Sequence, residues 1–312
     1  MKIVFLGTSE FAVPSLEELV SAGHRVAEAI TQPDRPAGRG RRLSEPPVKI
    51  RANDLNIPVR QPDNLSHPEE ISRLREIAPD LIVSVSFGRF IPDAFLGGAP
   101  RGGINLHPSL LPRWRGAAPI PWALIAGDRE TGVTVHRLAD RLDAGEVFAQ
   151  ERIAIAPEDD ALTLAERLAA EGAKLLGRVV AESAAGRSTP VPQDETKATL
   201  APKLSKEDGL IDWRLPAESL HNRVRGFVPW PGSHTFVVRG PDRRLLKIHE
   251  TRVIPDAAGE PGRVLEAAGE RLVVGAGEGG LLIVSLQAEG GKILAAGDFL
   301  RGFKLSTGDR LG

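Results

Sequence analysis

Residues 2–31, KIVFLGTSEFAVPSLEELVSAGHRVAEAIT, decide the fold class. Residues 3–6 form an unbroken apolar run, as a strand covered on both faces requires. Gly7-Thr8-Ser9 turns the chain, residues 14–22 read as an amphipathic helix stopped at Gly23, and residues 26–31 read as a second strand. Strand, helix and strand in that order are the βαβ unit of a parallel sheet with helices on its faces.

The same alternation continues along the chain. Strands are expected at residues 81–86, 103–107 and 132–138, with helices at 68–77 and 161–185; in the last of these Leu164, Leu168, Leu175 and Val179 fall on one side. Around residues 188–207, Pro190, Pro192 and Pro202 interrupt the pattern and read as a linker. Beyond Leu210, short runs at 233–238, 245–248, 263–265, 271–274 and 281–286, separated by Gly/Pro turns, point to a small antiparallel barrel or sandwich, OB-like in spacing. The expected architecture is α/β: a Rossmann-like, mostly parallel sheet domain over residues 1–189, a linker over 190–208, and an OB-like β-barrel domain over 209–312.

A length of 312 residues suits two cores better than one. The formal net charge of −1 gives no bulk attraction to polyanions, so contact with nucleic acid needs a local basic patch. With no cysteine, disulfides, thiolate metal sites and cysteine nucleophiles are excluded, and no metal is expected. The first strand begins at Lys2, leaving no space for a secretory leader, and no apolar run approaches the ~20 residues that span a bilayer. A cytoplasmic protein, and a monomer, is expected.

The chemistry concentrates in residues 103–112, GINLHPSLLP. On a strand, Asn105 and His107 share one face while Ile104 and Leu106 take the other. Ligands of open α/β sheets lie beyond strand ends, where Asn can donate to a developing oxyanion and His can move a proton near neutrality. A buried, mutually bonded pair is an equally simple reading of the spacing. Asp140 and Asp143 both stand where a carboxylate could orient such a histidine, and chain position does not choose between them. The first turn lacks Gly-x-Gly-x-x-Gly, which argues against a nicotinamide dehydrogenase, and Ser109 has no nucleophile-elbow context. In residues 32–51, Arg35, Arg39, Arg41, Arg42, Lys49 and Arg51 face only Asp34 and Glu45, a basic loop able to follow a phosphate backbone. A solvated charge run is the plainer reading of such a segment.

These residues together resemble the folate-dependent formyltransferases, and within them the branch acting on tRNA. The resemblance rests on residues 3–7, 31–43 (TQPDRPAGRGRRL), 103–119, 131–134 (TGVT) and 142–145 (LDAG). It continues in 193–196 (QDET), 203–207 (KLSKE), 211–213 (IDW) and 229–231 (PWP), so it covers nearly the whole chain. It implies 10-formyltetrahydrofolate as formyl donor and the α-amino group of methionine on initiator tRNA as acceptor. It puts the catalytic residues at Asn105, His107 and Asp143, favouring Asp143 over Asp140. It also implies donor binding by Ser109, Leu110, Leu111 and Pro112 with Phe87, Gly88, Phe90 and Ile91, and tRNA contact by Arg35, Arg39, Arg41 and Arg42. Pro121 stands where many relatives carry a polar residue, which bears on the start of the next helix; Pro108 replaces a glycine but still ends the strand. Within the same superfamily the rival is transfer to an amino sugar nucleotide, which has no need of the arginine loop. A non-catalytic RNA-binding module would leave the Asn/His pair structural.

Overall fold

The computed structural model describes residues 1–37, 42–239 and 242–312. The chain divides into two compact units: Met1–Pro119, Glu130–Ala154 and Ala165–Ala201 form one, and Ile120–Arg129, Ile155–Leu164 and Pro202–Gly312 form the other.

In chain order the first elements are β1 (Lys2–Gly7), α1 (Val13–Ser21), β2 (Arg25–Ile30), β3 (Arg35–Ala37), β4 (Arg42–Ser44), α2 (Pro47–Asp54), β5 (Val59–Arg60), α3 (Pro68–Ile77) and β6 (Leu81–Val85). They are followed by α4 (Asp93–Leu96), β7 (Gly103–His107), β8 (Arg115–Gly116), α5 (Pro119–Ile125), β9 (Glu130–Arg137), β10 (Val147–Ala154), α6 (Ala161–Ala184) and β11 (Leu200–Ala201). Pro121 sits in the first turn of α5, where backbone N–H groups have no helical acceptor, so its missing donor removes no bond.

The main sheet runs β10-β9-β7-β6-β1-β2-β5. Pairing is parallel from β5 through β7 and antiparallel for β7–β9 and β9–β10. The order reverses at β1, whose Ile3, Val4, Phe5 and Leu6 are wholly buried. That explains the unbroken apolar run, since a central parallel strand has no wet face. Along α6, Leu168, Leu175, Leu176, Val179 and Val180 are buried in the first unit. The helix crosses directly behind β7: a Cβ at Gly172 would stand 2.8 Å from Leu106 Cδ2, so a larger residue there would have to displace the Leu106 side chain.

The second unit carries α7 (Ala217–Gly226), β12 (Ser233–Arg239), β13 (Asp242–Ile254), β14 (Val264–Ala268), β15 (Arg271–Gly275), β16 (Gly280–Ala288), β17 (Leu294–Ala295), α8 (Ala296–Gly302) and β18 (Arg310–Leu311). Its antiparallel sheet runs β14-β15-β16-β13-β12-β18. The sheet curls until its edges meet: the Val264 N–H donates to the Asp309 carbonyl and the Leu311 N–H to the Gly262 carbonyl, beside an Arg263–Arg310 bridge. Unpaired edge groups are thereby covered. Trp213, Leu220, Val224, Leu246, Ile248, Leu281, Ile283 and Phe299 belong to the core beneath it. Among the described residues no helix is long and apolar enough to cross a membrane.

Leu106 is 1% exposed and sits between α6 and the sheet. Leu106→Ala is expected to lower unfolding stability by about 2–5 kcal/mol, read from urea denaturation, because the rigid helix–sheet contact leaves a cavity.

Candidate active site

Asn105 and His107 emerge on one face of β7, and β9 supplies their neighbours. The antiparallel register sets Asn105 opposite His136 and His107 opposite Thr134, so all four share that face. Ile104 and Leu106 are buried on the other side, as strand alternation predicts.

Protons in this cluster can be assigned from its fixed acceptors. His107 Nε2 lies 2.8 Å from the Trp114 carbonyl oxygen, which only accepts, so Nε2 carries the hydrogen. Nδ1 of the neutral ring is then a bare lone pair, 3.6 Å from Asp143 Oδ2. His136 Nδ1 donates to the Arg137 carbonyl at 2.8 Å, and its Nε2 accepts from Asn105 Nδ2 at 3.2 Å. Asp143 Oδ1 is 3.6 Å from that same Nε2. The two imidazoles meet edge-on with centroids 6.2 Å apart. Burial pushes the His107 pKa below its ordinary value; the Asp143 charge works the other way and only partly offsets it. Burial alone raises Asp143, but a hydrogen bond from His136 and positive charge on His107 and His136, when these rings are protonated, act with the Gly116 N–H to hold its carboxyl below the usual carboxylate value.

Asp143 reaches this position through a constrained loop. Its φ of 51° lies in the left-handed region, which Asp tolerates better than most residues. The Gly116 N–H donates to Oδ2 at 2.9 Å. At Gly145 a Cβ would collide with the Arg137 carbonyl, so only glycine lets the loop close on β9. Gln193 Nε2 staples the loop from outside, donating to the carbonyls of Asp143 (2.8 Å) and Gly145 (2.7 Å). Buried Arg115 donates to Gln193 Oε1 and to both oxygens of Glu195, and Arg141 also reaches Glu195. Those two guanidiniums, Arg115 first, lower the Glu195 pKa to about 2, so this clamp persists in acid. Asp140 is elsewhere, against Asp93, whose carboxyl it pushes up.

The other expected site residues are distributed unevenly. Ser109 is fully buried, with its hydroxyl donating to the Arg113 carbonyl at 2.6 Å. Thr134 and Gln150 fix the backbone of the segment: Thr134 Oγ1 donates to the Ser109 carbonyl, and Gln150 Nε2 donates to the Leu111 carbonyl and to Thr134 Oγ1. Leu111 is buried, while Leu110 and Pro112 are partly open. Phe87 and Ile91 pack in the core, whereas Phe90 is 73% exposed. Gly88 has φ 73° and lies against Gln32, which donates to the Phe87 carbonyl.

In the basic segment, Arg35 is exposed on β3 and Arg42 starts β4, the two strands forming a hairpin; Arg39 and Arg41 lie outside the described residues. Lys49 is engaged by Asp34 and Glu45, and Arg51 by Glu17 and Asp54. In the second unit Arg225 turns inward and donates to the carbonyls of Ala156, Pro157 and Asp159. Sequence reading passed over His136, Gly116 and the bracing roles of Arg115, Gln193 and Glu195. Alternation within residues 132–138 could have paired His136 with Thr134, but not with Asn105, because the register between strands is invisible in one sequence. Among the described residues no group of three His, Asp or Glu side chains could hold a metal ion.

Residues 1–180 match the family model described as formyl transferase, and residues 203–304 its C-terminal domain. The methionyl-tRNA formyltransferase of Moorella thermoacetica is 47% identical, with 100% of this chain and 99% of the relative covered; that of Geobacter sulfurreducens is 44% identical, covering 100% and 97%. A solved N-formyltransferase from Helicobacter canadensis, in complex with folinic acid and dTDP-3-aminofucose, shares the fold with a TM-score of 0.69 at 17% identity, over 91% of this chain and 98% of that one. With identity at this level along its whole length, the chain belongs to the methionyl-tRNA formyltransferase family.

Proposed function

We propose that this protein transfers the formyl group of 10-formyltetrahydrofolate to the α-amino group of methionyl-initiator tRNA, in the cytoplasm, as a step of translation initiation. The observation that carries the reading is the carboxamide of Asn105, the bare Nδ1 of His107 and the buried Asp143 carboxylate gathered at one strand end. That is the donor and acceptor set that attack of an amine on a formyl carbon needs. The exposed Phe90 ring offers a flat apolar face for a bicyclic donor, and Phe87, Gly88, Ile91, Ser109, Leu110, Leu111 and Pro112 complete the donor site in this reading.

In this reading the lone pair of the neutral amine forms the new C–N bond while the formyl C=O electrons move onto oxygen. Asn105 donates an N–H to that oxygen. The proton shed by the amine is taken by His107 Nδ1, where Asp143 stabilises the imidazolium. It then passes to the departing donor nitrogen as the old C–N bond breaks. Burial favours the neutral form of His107, the form that can accept a proton. Residues 1–189 form the catalytic domain of this reading, 190–208 the linker and 209–312 an OB-like domain assisting tRNA binding. Arg35, Arg39, Arg41 and Arg42 follow the phosphates of the acceptor arm.

Three outcomes test it. Asn105→Ala and Asp143→Ala should lower kcat by about 10²–10³-fold while the dissociation constant of charged tRNA changes little. By ¹⁵N NMR, His107 should titrate below the ordinary histidine value of 6.5, and Asp143→Asn should shift it lower still, since the carboxylate is what raises it. The unfolded state then holds more protons just below pH 6.5, so this group lowers stability as pH falls there. Arg39→Ala and Arg41→Ala should weaken tRNA binding, and wild-type binding should weaken steeply with salt.

A further inference from the structure

His136 takes no part in the proton path above, yet it is 1% exposed and stands between Asn105 and Asp143. Its hydrogen-bond options are narrow. The Arg137 carbonyl holds a proton on Nδ1, which leaves Nε2 of the neutral ring as an acceptor. An amide nitrogen can donate to that lone pair, and a carboxylate cannot. The Asn105 amide therefore has one favourable orientation: Nδ2 toward His136, with its second hydrogen left over. Turned by 180°, Asn105 would set its carbonyl oxygen against the bare Nε2 and would point oxygen, instead of N–H, at a developing oxyanion. A doubly protonated His136 would reverse the preference, donating to Asp143 Oδ1 and repelling the Asn105 NH2.

We propose that His136 is a positioning residue whose Nδ1-protonated neutral ring locks the Asn105 amide with its nitrogen end available to the reacting carbonyl oxygen. The inference rests on the assignment of Asn105 as oxyanion donor. The β7–β9 register supports it, because residues directly opposite on antiparallel strands have Cβ atoms about 4.5–5.5 Å apart, the span one amide–imidazole bond fills. Burial supports it too: with the His136 ring out of water, its Nε2 lone pair has no solvent donor to replace the amide N–H.

The test is a double-mutant cycle on formylation kinetics. His136→Leu fills the space without an acceptor and should lower kcat by about 10²-fold, most of the loss of one oxyanion donor, with KM for the donor nearly unchanged. His136→Gln, whose side-chain oxygen reaches toward the same point as Nε2, should restore kcat to within about tenfold of wild type. Combined with Asn105→Ala, His136→Leu should add little, because the lock then has nothing to hold. Multiplicative losses, or a His136→Leu enzyme with kcat within threefold of wild type while Asn105→Ala is impaired, would overturn the proposal alone. A normal Asn105→Ala enzyme would instead overturn the catalytic reading beneath it. Should His136→Leu not fold, ¹⁵N NMR of the wild-type protein decides: the Nδ1–H tautomer is expected at His136, and a neutral ring protonated at Nε2 contradicts the lock.

Discussion

The Asp143 carboxylate, nearly buried and held in a left-handed backbone conformation, takes the Gly116 N–H and faces His107 and His136 at 3.6 Å each. A charge in that setting is stable only if its surroundings are fixed, because burial by itself favours the neutral acid. Much of the neighbouring architecture answers that demand. Gly145 allows the loop to close on β9, Gln193 staples its carbonyls, and the Arg115–Glu195–Arg141 cluster holds Gln193 in turn. The Asp143 loop is thus set by polar contacts from positions 115 and 193–195, about 30 and 50 residues away in sequence, which one principle unites: buried polar groups must be paired.

The two imidazoles present different nitrogens to the cluster because their second nitrogens meet different carbonyls. Trp114 fixes the proton of His107 on Nε2, and Arg137 fixes that of His136 on Nδ1. One ring is thereby left with its basic nitrogen toward Asp143, and the other with its basic nitrogen toward Asn105. Backbone geometry, set by the turn at Trp114 (φ 62°) and by the β7–β9 ladder, decides which nitrogen each presents.

Much of this was legible in the chain, and the illegible part has a physical pattern. The wholly buried β1 and the Asn105/His107 face follow from periodicity, which a single strand displays by itself. Asp143 could not be separated from Asp140 by position; in three dimensions Asp140 lies against Asp93 and Asp143 against the imidazoles. His136 was hidden because inter-strand register leaves no mark in one sequence. β10 escaped notice because it lies at the sheet edge, where Glu151 and Arg152 interrupt the apolar alternation. β13 is longer than its apolar stretch, since its outer half carries Arg243, Arg244, Lys247 and Arg252 into solvent. α7 reads as polar because only one of its faces, with Leu220 and Val224, meets the core. In the basic segment Lys49 pairs with Asp34 and Glu45, and Arg51 with Glu17 and Asp54, contacts set by folding and not by sequence spacing alone.

The proposed geometry would serve any amine presented at Asn105, so the acceptor is the point on which the functional reading turns. The most direct measurement is the initial rate of formyl transfer from 10-formyltetrahydrofolate to purified methionyl-initiator tRNA, methionyl-elongator tRNA and an amino sugar nucleotide, compared side by side. The predicted result is efficient turnover with the initiator species and little with the other two. Turnover of the amino sugar nucleotide equal to or above that of the initiator tRNA would contradict it.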